Sequence, residues 1–249
     1  MQTDVHLELL CKMDTMTVGS FTKDRAAYHF FKRILDLAIS LPGILLVLPL
    51  MAVIAVLIRC DSHGPVLYVQ DRVGAKRRPH GGYTYWQQVI FKMYKFRTMA
   101  AGSSPSLHQA YVRAWIHKDR EAMAALQGSA IPTCKLVTDP RVTRFGKFLR
   151  KSSLDELPQI WNVIRGEMSL VGPRPAIPYE MEDYEPWHLN RLEAKPGITG
   201  LWQVKARSSV DFDEMVRLDI DYIHHPSIWL DFKILMATPF AVFSAKGAV

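Results

Sequence analysis

Residues 37–58 read LAISLPGILLVLPLMAVIAVLI, 22 positions without a charged side chain. As one straight helix the run is about 33 Å long, close to the hydrocarbon thickness of a bilayer. It lies too late in the chain for a secretory signal, and no small-residue cleavage site follows it. The direct reading is one transmembrane helix. Two features oppose a simple crossing. Pro42 and Pro49 lie inside the run, and each removes a backbone donor and bends a helix. Arg25, Lys32 and Arg33 precede it, while Arg59, Arg72, Lys76, Arg77 and Arg78 follow it, so the positive-inside rule puts both ends in the cytoplasm. A broken helix that dips into one leaflet and returns satisfies both facts, provided the freed backbone groups find partners. On the residues alone, crossing and re-entry stay open.

Around this run the chain is globular in composition. Its 249 residues suffice for one sizeable core, or for one domain with a membrane appendage. Hydrophobic residues make up 49% and charged residues 22%, which excludes a disordered chain and a polytopic membrane protein. The net charge of +7 favours anionic partners: nucleic acid, phospholipid headgroups or phosphorylated substrates. Cys11, Cys60 and Cys134 are far apart and odd in number, so no disulfide framework is expected. The histidines are scattered, and the pair His224-His225 does not share a helix face, so no zinc site is expected.

The pattern outside the apolar run is mixed. Residues 1–27 read as poorly ordered or variable. Val66–Val69 reads as a short strand, residues 74–84 (GAKRRPHGGYT) as a basic loop, and Val89–Met99 as a second strand. Leu107–Leu126 reads as a helix. Asp139-Pro140 resembles a cap with proline at the first helical position. From there Arg141, Arg144, Lys147, Arg150 and Lys151 recur at helical spacing beside Phe145, Phe148 and Leu149. This is a basic amphipathic helix suited to an anionic membrane surface, the alternative being a solvated face on a core-packed helix. Residues 227–243 read as a core helix or an interfacial one. Neither a GxGxxG fingerprint nor a GxxxxGK phosphate loop is present.

The chemistry concentrates in residues 152–175, SSLDELPQIWNVIRGEMSLVGPRP. Ser153-Leu154-Asp155-Glu156 fits a capping box, which needs no chemistry. Pro158 disturbs that reading: with Ser153 as the cap, it removes a needed donor in the following turn. If the helix starts nearer Asp155, the box fails and two acids project beside Arg150 and Lys151. A neighbouring cation favours an ionised carboxylate, which can attack phosphorus or hold Mg2+. Lys95 and Arg97 alternate along a strand, so one anion could meet both. Arg174, held between Pro173 and Pro175, is placed to grip phosphate bidentately. Acid, metal and arginine clamp together suit phosphoryl transfer.

The stretches KRILDLAIS, GPVLYVQDRVG, FKMYKFRTM, DPRVTRFGKFLRKSSLDELPQIWNVIRGEMSLVGPRP and KPGITGLWQV closely resemble the bacterial sugar transferase family. They match its short-form monotopic phosphoglycosyl transferases, which are polyprenyl-phosphate glycosyl-1-phosphate transferases. The likeness runs from about residue 31 to residue 240. It implies transfer of sugar 1-phosphate from a UDP-sugar to undecaprenyl phosphate with release of UMP, the first membrane step of exopolysaccharide, capsule or O-antigen synthesis. Carried over, Asp155 is the nucleophile and the Mg2+ ligand, Glu156 assists, and Arg150 binds phosphate. Pro173-Arg174-Pro175 lies near the nucleotide, with Lys95 and Arg97 as further substrate contacts.

The resemblance also implies an α+β fold: a mostly helical monotopic membrane protein with a re-entrant broken helix, amphipathic interfacial helices and a small β element. The segments are then 1–29 (variable), 30–59 (re-entrant) and 60–249 (catalytic, on the cytoplasmic face of the bacterial inner membrane). Pro49 matches the proline of the helix break, with Leu48 where the family typically has serine and an extra Pro42 upstream. Anionic lipids and downstream glycosyltransferases are the further expected partners, and nucleic acid is not one. A catalytically inactive scaffold of polysaccharide assembly and a Mg2+-dependent phosphohydrolase are the alternatives.

Overall fold

The computed structural model describes residues 17–127, 139–206 and 210–243. Strand β1 (Thr17–Lys23) leads into α1 (Ala26–Asp61), which is followed by the hairpin β2 (Leu67–His80) and β3 (Tyr83–Phe96). Two short helices, α2 (Ser106–Ile116) and α3 (Arg120–Gln127), precede α4 (Arg144–Ser152), a 3-10 turn (Leu154–Glu156) and α5 (Gln159–Arg165). Strand β4 (Ser169–Val171), 3-10 segments Pro178–Asp183 and Pro186–Leu192, and strand β5 (Gly197–Thr199) come next. The chain then forms α6 (Leu201–Lys205), α7 (Phe212–His224) and α8 (Ile228–Phe243).

The fold is α+β. The main sheet is antiparallel with order β1-β3-β2, and its hairpin pairs without a break from Leu67↔Phe96 to His80↔Tyr83. Gly81 and Gly82 turn it, both with positive φ (58° and 81°), as a type I′ turn requires. The expected basic loop over 74–84 is therefore corrected: it is the closed end of a hairpin. The Lys76-Arg77-Arg78 run hid the strand because its charges are accommodated at the sheet. Arg77, for example, is bound by Asp24 at 2.6 Å. Likewise Thr17–Lys23, expected to be irregular, is an edge strand on β3. Residues 1–16 lie outside the described residues, as do 128–138 in the central insert.

Helix α1 is assigned as unbroken over 36 residues through Pro42 and Pro49. A straight helix of that length spans about 54 Å, well beyond a bilayer's apolar thickness. Both its ends pack on the same body. Near the start, Lys32 pairs with Asp231 of α8 at 2.9 Å, and Arg33 donates to the Val163 and Ile164 carbonyls at 2.6 and 2.8 Å. Asp36 accepts from the Ser169 hydroxyl and the Leu170 amide, both at 2.9 Å. Near the finish, Ile54 and Ile58 join Phe96 and Leu149 in one apolar cluster. Between these anchors Leu41, Leu45, Leu46, Leu48, Leu50 and Val53 are exposed. Lys32 and Arg33, read above as flanking charges, are thus anchors with partners in the folded body.

Two expected helices shift. Leu107–Leu126 is broken into α2 and α3 at Lys118, whose φ is 58°. Asp139-Pro140 starts a turn and not a helix; α4 begins at Arg144 behind the N-cap Thr143, whose hydroxyl accepts from the Gly146 amide at 3.0 Å. Asp139 is instead occupied by Arg141 at 2.6 Å. Helix α4 buries Leu149 and exposes Arg144, Lys147, Phe148 and Lys151, so its outer face is basic and aromatic. Helix α8 meets the core reading on one face. Asp231 and Ile234 are buried, while Trp229, Phe232, Met236 and Phe240 are exposed.

Candidate active site

The site starts where β3 ends. The Thr98 carbonyl accepts from the Thr143 amide at 3.0 Å, which brings the start of α4 against the strand exit. Gly146 permits this approach: a Cβ there would lie 2.1 Å from the Thr98 carbonyl oxygen. Helix α4 then carries Arg150 back over the strand, where its Nε donates to the Thr98 hydroxyl at 3.0 Å.

Helix α4 stops at Ser153, in the left-handed region with φ 57°. This residue caps the end of α4, and its side chain makes no cap bond to the next turn, so the capping box is not formed. The 3-10 turn Leu154–Glu156 follows at once, and Pro158 sits at the N-cap of α5, where its missing N–H costs nothing. Leu154 and Leu157 pack into the cluster of Ile54, Ile58, Phe96 and Leu149. Residues three apart in a 3-10 turn share a side, so burying these two leaves Asp155 and Glu156 on the others.

Charges close around the acids. Lys95 at the end of β3 pairs with Glu156 at 2.7 Å. Burial lowers the pKa of Arg150, and the Asp155 and Asp139 carboxylates work against that. Burial works to raise the Asp139 carboxyl, but the Arg141 donors outweigh it and hold it below the usual range. Arg141 is close enough to both Arg150 and His108 to act on each.

The second half is the Pro173-Arg174-Pro175 turn. It leaves β4 through Gly172, whose amide donates to the Thr199 carbonyl at 2.9 Å. A Cβ on Gly172 would lie 2.4 Å from the Lys195 carbonyl oxygen, so only glycine allows β4 and β5 to meet here. Two buried arginines clamp the turn: Arg72 donates to the Pro175 carbonyl at 2.9 Å, and Arg191 to the Arg174 carbonyl at 3.2 Å. Arg191 is itself paired with buried Asp219 at 2.7 Å. The Arg174 side chain is partly exposed and, among the described residues, forms no ion pair. Beside it, among the described residues, Arg72 is hydrogen-bonded only by neutral oxygens of Gln70 and Pro175, with the Glu180 carboxylate near but not bonded to it. Burial and the nearby Arg174 push Arg72 down to about 10, so it stays charged at neutral pH. Two neighbouring guanidinium groups without a paired carboxylate suit a phosphate.

Of the residues foreseen, Asp155, Glu156, Arg150 and Lys95 come together, and Arg174 stands in the adjoining basic wall. Arg97 does not join Lys95. Its Nη2 donates to the Ser62 carbonyl and hydroxyl at 2.6 and 3.0 Å, which fastens the end of α1. Its other nitrogens are buried without a partner. The alternating strand pattern put both residues on one face, but β3 ends at Phe96. Sequence reasoning missed Arg72, Arg141, His108 and Tyr179. Arg72 was read as a charge flanking the apolar run and Arg141 as part of a basic helix face, and no local pattern marked His108 or Tyr179. The half-buried acids and the phosphate-ready arginines fit a Mg2+ ion, which typically takes one or two carboxylates and completes its shell with substrate phosphate and water.

The family described as Bacterial sugar transferase matches residues 27–245. The galactosyl transferase CpsE of Streptococcus agalactiae is 42% identical over 219 residues, covering 87% of this chain and 43% of that protein. The undecaprenyl-phosphate galactose phosphotransferase of Salmonella typhimurium is 39% identical over 220 residues, with 88% and 42% covered. The exopolysaccharide production protein ExoY of Rhizobium meliloti is 36% identical over 218 residues, with 87% of each chain covered. The chain belongs to the bacterial sugar transferase family. It spans about two fifths of the length of the first two relatives, and most of the third.

Proposed function

We propose that the protein transfers a sugar 1-phosphate from a UDP-sugar to undecaprenyl phosphate, as a step in building a surface polysaccharide. Asp155 attacks the sugar-bearing phosphorus of the donor. The bond from that phosphorus to the bridging oxygen breaks, and UMP leaves. An oxygen of the lipid phosphate then attacks the same phosphorus, the bond to Asp155 breaks, and a polyprenyl diphosphate sugar forms. Arg150 holds the phosphate under attack, Lys95 keeps Glu156 in place, and Arg174 with Arg72 takes the rest of the diphosphate. Mg2+, held by Asp155 with Glu156, would offset the repulsion between carboxylate and diphosphate.

The observation that carries this reading is one arrangement. An Asp-Glu turn lies between Arg150 and Lys95, Arg141 links Arg150 to the wall of Arg72 and Arg174, which form no ion pair among the described residues, and the same body leaves the middle of an apolar helix exposed. The relatives' names point the same way, to undecaprenyl phosphate, galactose and exopolysaccharide.

The membrane arrangement is part of the proposal. Helix α1 enters one leaflet and returns, bending near Pro49 and Pro42, with the catalytic body on the cytoplasmic face of the inner membrane. What supports this is that Lys32, Arg33 and Asp36 at one end, and Ile54 and Ile58 at the other, contact one body. A crossing helix would send those ends to opposite sides. The basic and aromatic outer face of α4 would rest on anionic lipid.

UMP release from a panel of UDP-sugars, with purified protein, Mg2+ and detergent, tests the reading. Release that needs undecaprenyl phosphate, with one preferred sugar, is expected. Release unaffected by the lipid would favour hydrolysis instead.

A further inference from the structure

Helix α2 belongs to a stretch that the reaction outlined above does not use, yet it is fastened to the active site. Arg113 and His117 both contact Asp183 at 3.0 Å. One end of the helix brings His108 to Tyr179, with Nδ1 and the phenol oxygen 2.6 Å apart and the rings edge to face. Tyr179 follows the Pro173-Arg174-Pro175 turn by four residues. His108 therefore stands among the guanidinium groups of Arg174, Arg72 and Arg141, with the Glu180 carboxylate also close.

The imidazole is an unusual member of that group. Burial first, and then Arg174, hold it down at about 4, so it is neutral at working pH. It adds no charge to a wall that already carries three cations. Burial also lifts the Tyr179 hydroxyl above the usual phenol range, so its proton is present to be donated to Nδ1. With Nδ1 as acceptor, Nε2 carries the ring proton. Nε2 makes no hydrogen bond to any described residue. A neutral donor without a partner among the described residues, set beside a phosphate-binding wall, suits an uncharged oxygen on a phosphorylated ligand.

Reaction geometry says which part of the ligand arrives there. Attacking and leaving oxygens lie roughly in line in phosphoryl transfer, so the leaving nucleotide points away from Asp155. Arg150 neighbours Asp155, whereas the cations around His108 are Arg174, Arg72 and Arg141. Arg141 acts on both groups, but Arg174 and Arg72 act on His108 and are not among the charges acting on Arg150, so His108 stands further along the wall than Arg150. We propose that His108, oriented by Tyr179, recognises the nucleoside half of the donor by donating Nε2–H to one of its uncharged oxygens. This rests on the donor reading above and adds a specificity-determining residue to it.

The test is competitive inhibition by two probes, UMP and inorganic pyrophosphate, which share phosphate chemistry and differ in the nucleoside. His108→Ala is expected to raise the donor KM and the UMP inhibition constant about tenfold, the scale of one lost hydrogen bond. Inhibition by pyrophosphate and kcat at saturating donor should stay within twofold. His108→Gln, whose amide nitrogen can replace Nε2, should recover most of the UMP affinity and guards against a folding defect in the alanine variant. Equal weakening of both probes would overturn the inference, because His108 would then act through the arginines. Unchanged UMP inhibition would overturn it too. Wild-type protein that binds pyrophosphate but not UMP would remove the donor reading itself and the inference with it, a result distinct from any variant effect.

Discussion

At the residue scale the site separates charge by role. Glu156 is tied to Lys95, and Arg150 lies in the field of Asp155. The Asp-Glu turn was legible in sequence because Pro158 conflicts with a capping box at Ser153, and the structure resolves the conflict by ending one helix and starting another. Arg72, Arg141, His108 and Tyr179 were not legible, because their meaning lies in contacts between residues far apart in the chain. His108 gives a pH prediction. Its folded value is about 4 against an ordinary 6.5, so the unfolded chain binds more protons between those values. Stability contributed by the neutral ring is complete above about pH 6.5 and is lost as pH falls toward 4. His108→Gln should therefore show a smaller drop in melting temperature from pH 7 to pH 4.5 than the wild type does. Equal drops would show that the ring is not held neutral.

At the scale of elements, close approaches and buried anchors position the chemistry. Gly146 lets α4 lie on the Thr98 carbonyl, and a Cβ there would sit 2.1 Å from it. Gly146→Ala should destabilise the fold by about 1–3 kcal/mol through overpacking. It should also lower turnover more than donor affinity, because Arg150 moves with α4. Chemical denaturation and steady-state kinetics measure the two effects. Asp36→Ala would leave the Ser169 hydroxyl and the Leu170 amide without their partner, costing about 1–3 kcal/mol, readable by the same denaturation. The long hairpin was the main element missed in the sequence. Its Gly-Gly turn was visible, but the adjacent Lys-Arg-Arg run resembled solvated loop, and only the partner strand shows those charges accommodated. The apolar run and the basic face of α4 were readable because each repeats over several helical turns.

At the scale of the whole molecule, one body holds both ends of an apolar helix whose middle it leaves uncovered. The predicted consequence is that both ends of α1 lie on the same side of the membrane. Cys60, exposed near the end of the helix, is a native reporter for one end. With Cys11 and Cys134 replaced, thiol labelling of Cys60 should match that of an Arg25→Cys variant in which Cys60 is also replaced. Both should be reached from the cytoplasmic side of sealed vesicles. Labelling from opposite sides would establish a crossing helix. The central claim, however, concerns the bond that forms at Asp155. Intact-protein mass spectrometry, after incubation with the preferred UDP-sugar and Mg2+ but no lipid acceptor, tests it most directly. An added mass equal to one sugar phosphate is expected, discharged by undecaprenyl phosphate and absent from a folded Asp155→Asn variant. Lipid-dependent UMP release by wild type without that adduct, or full turnover by Asp155→Asn, would contradict it.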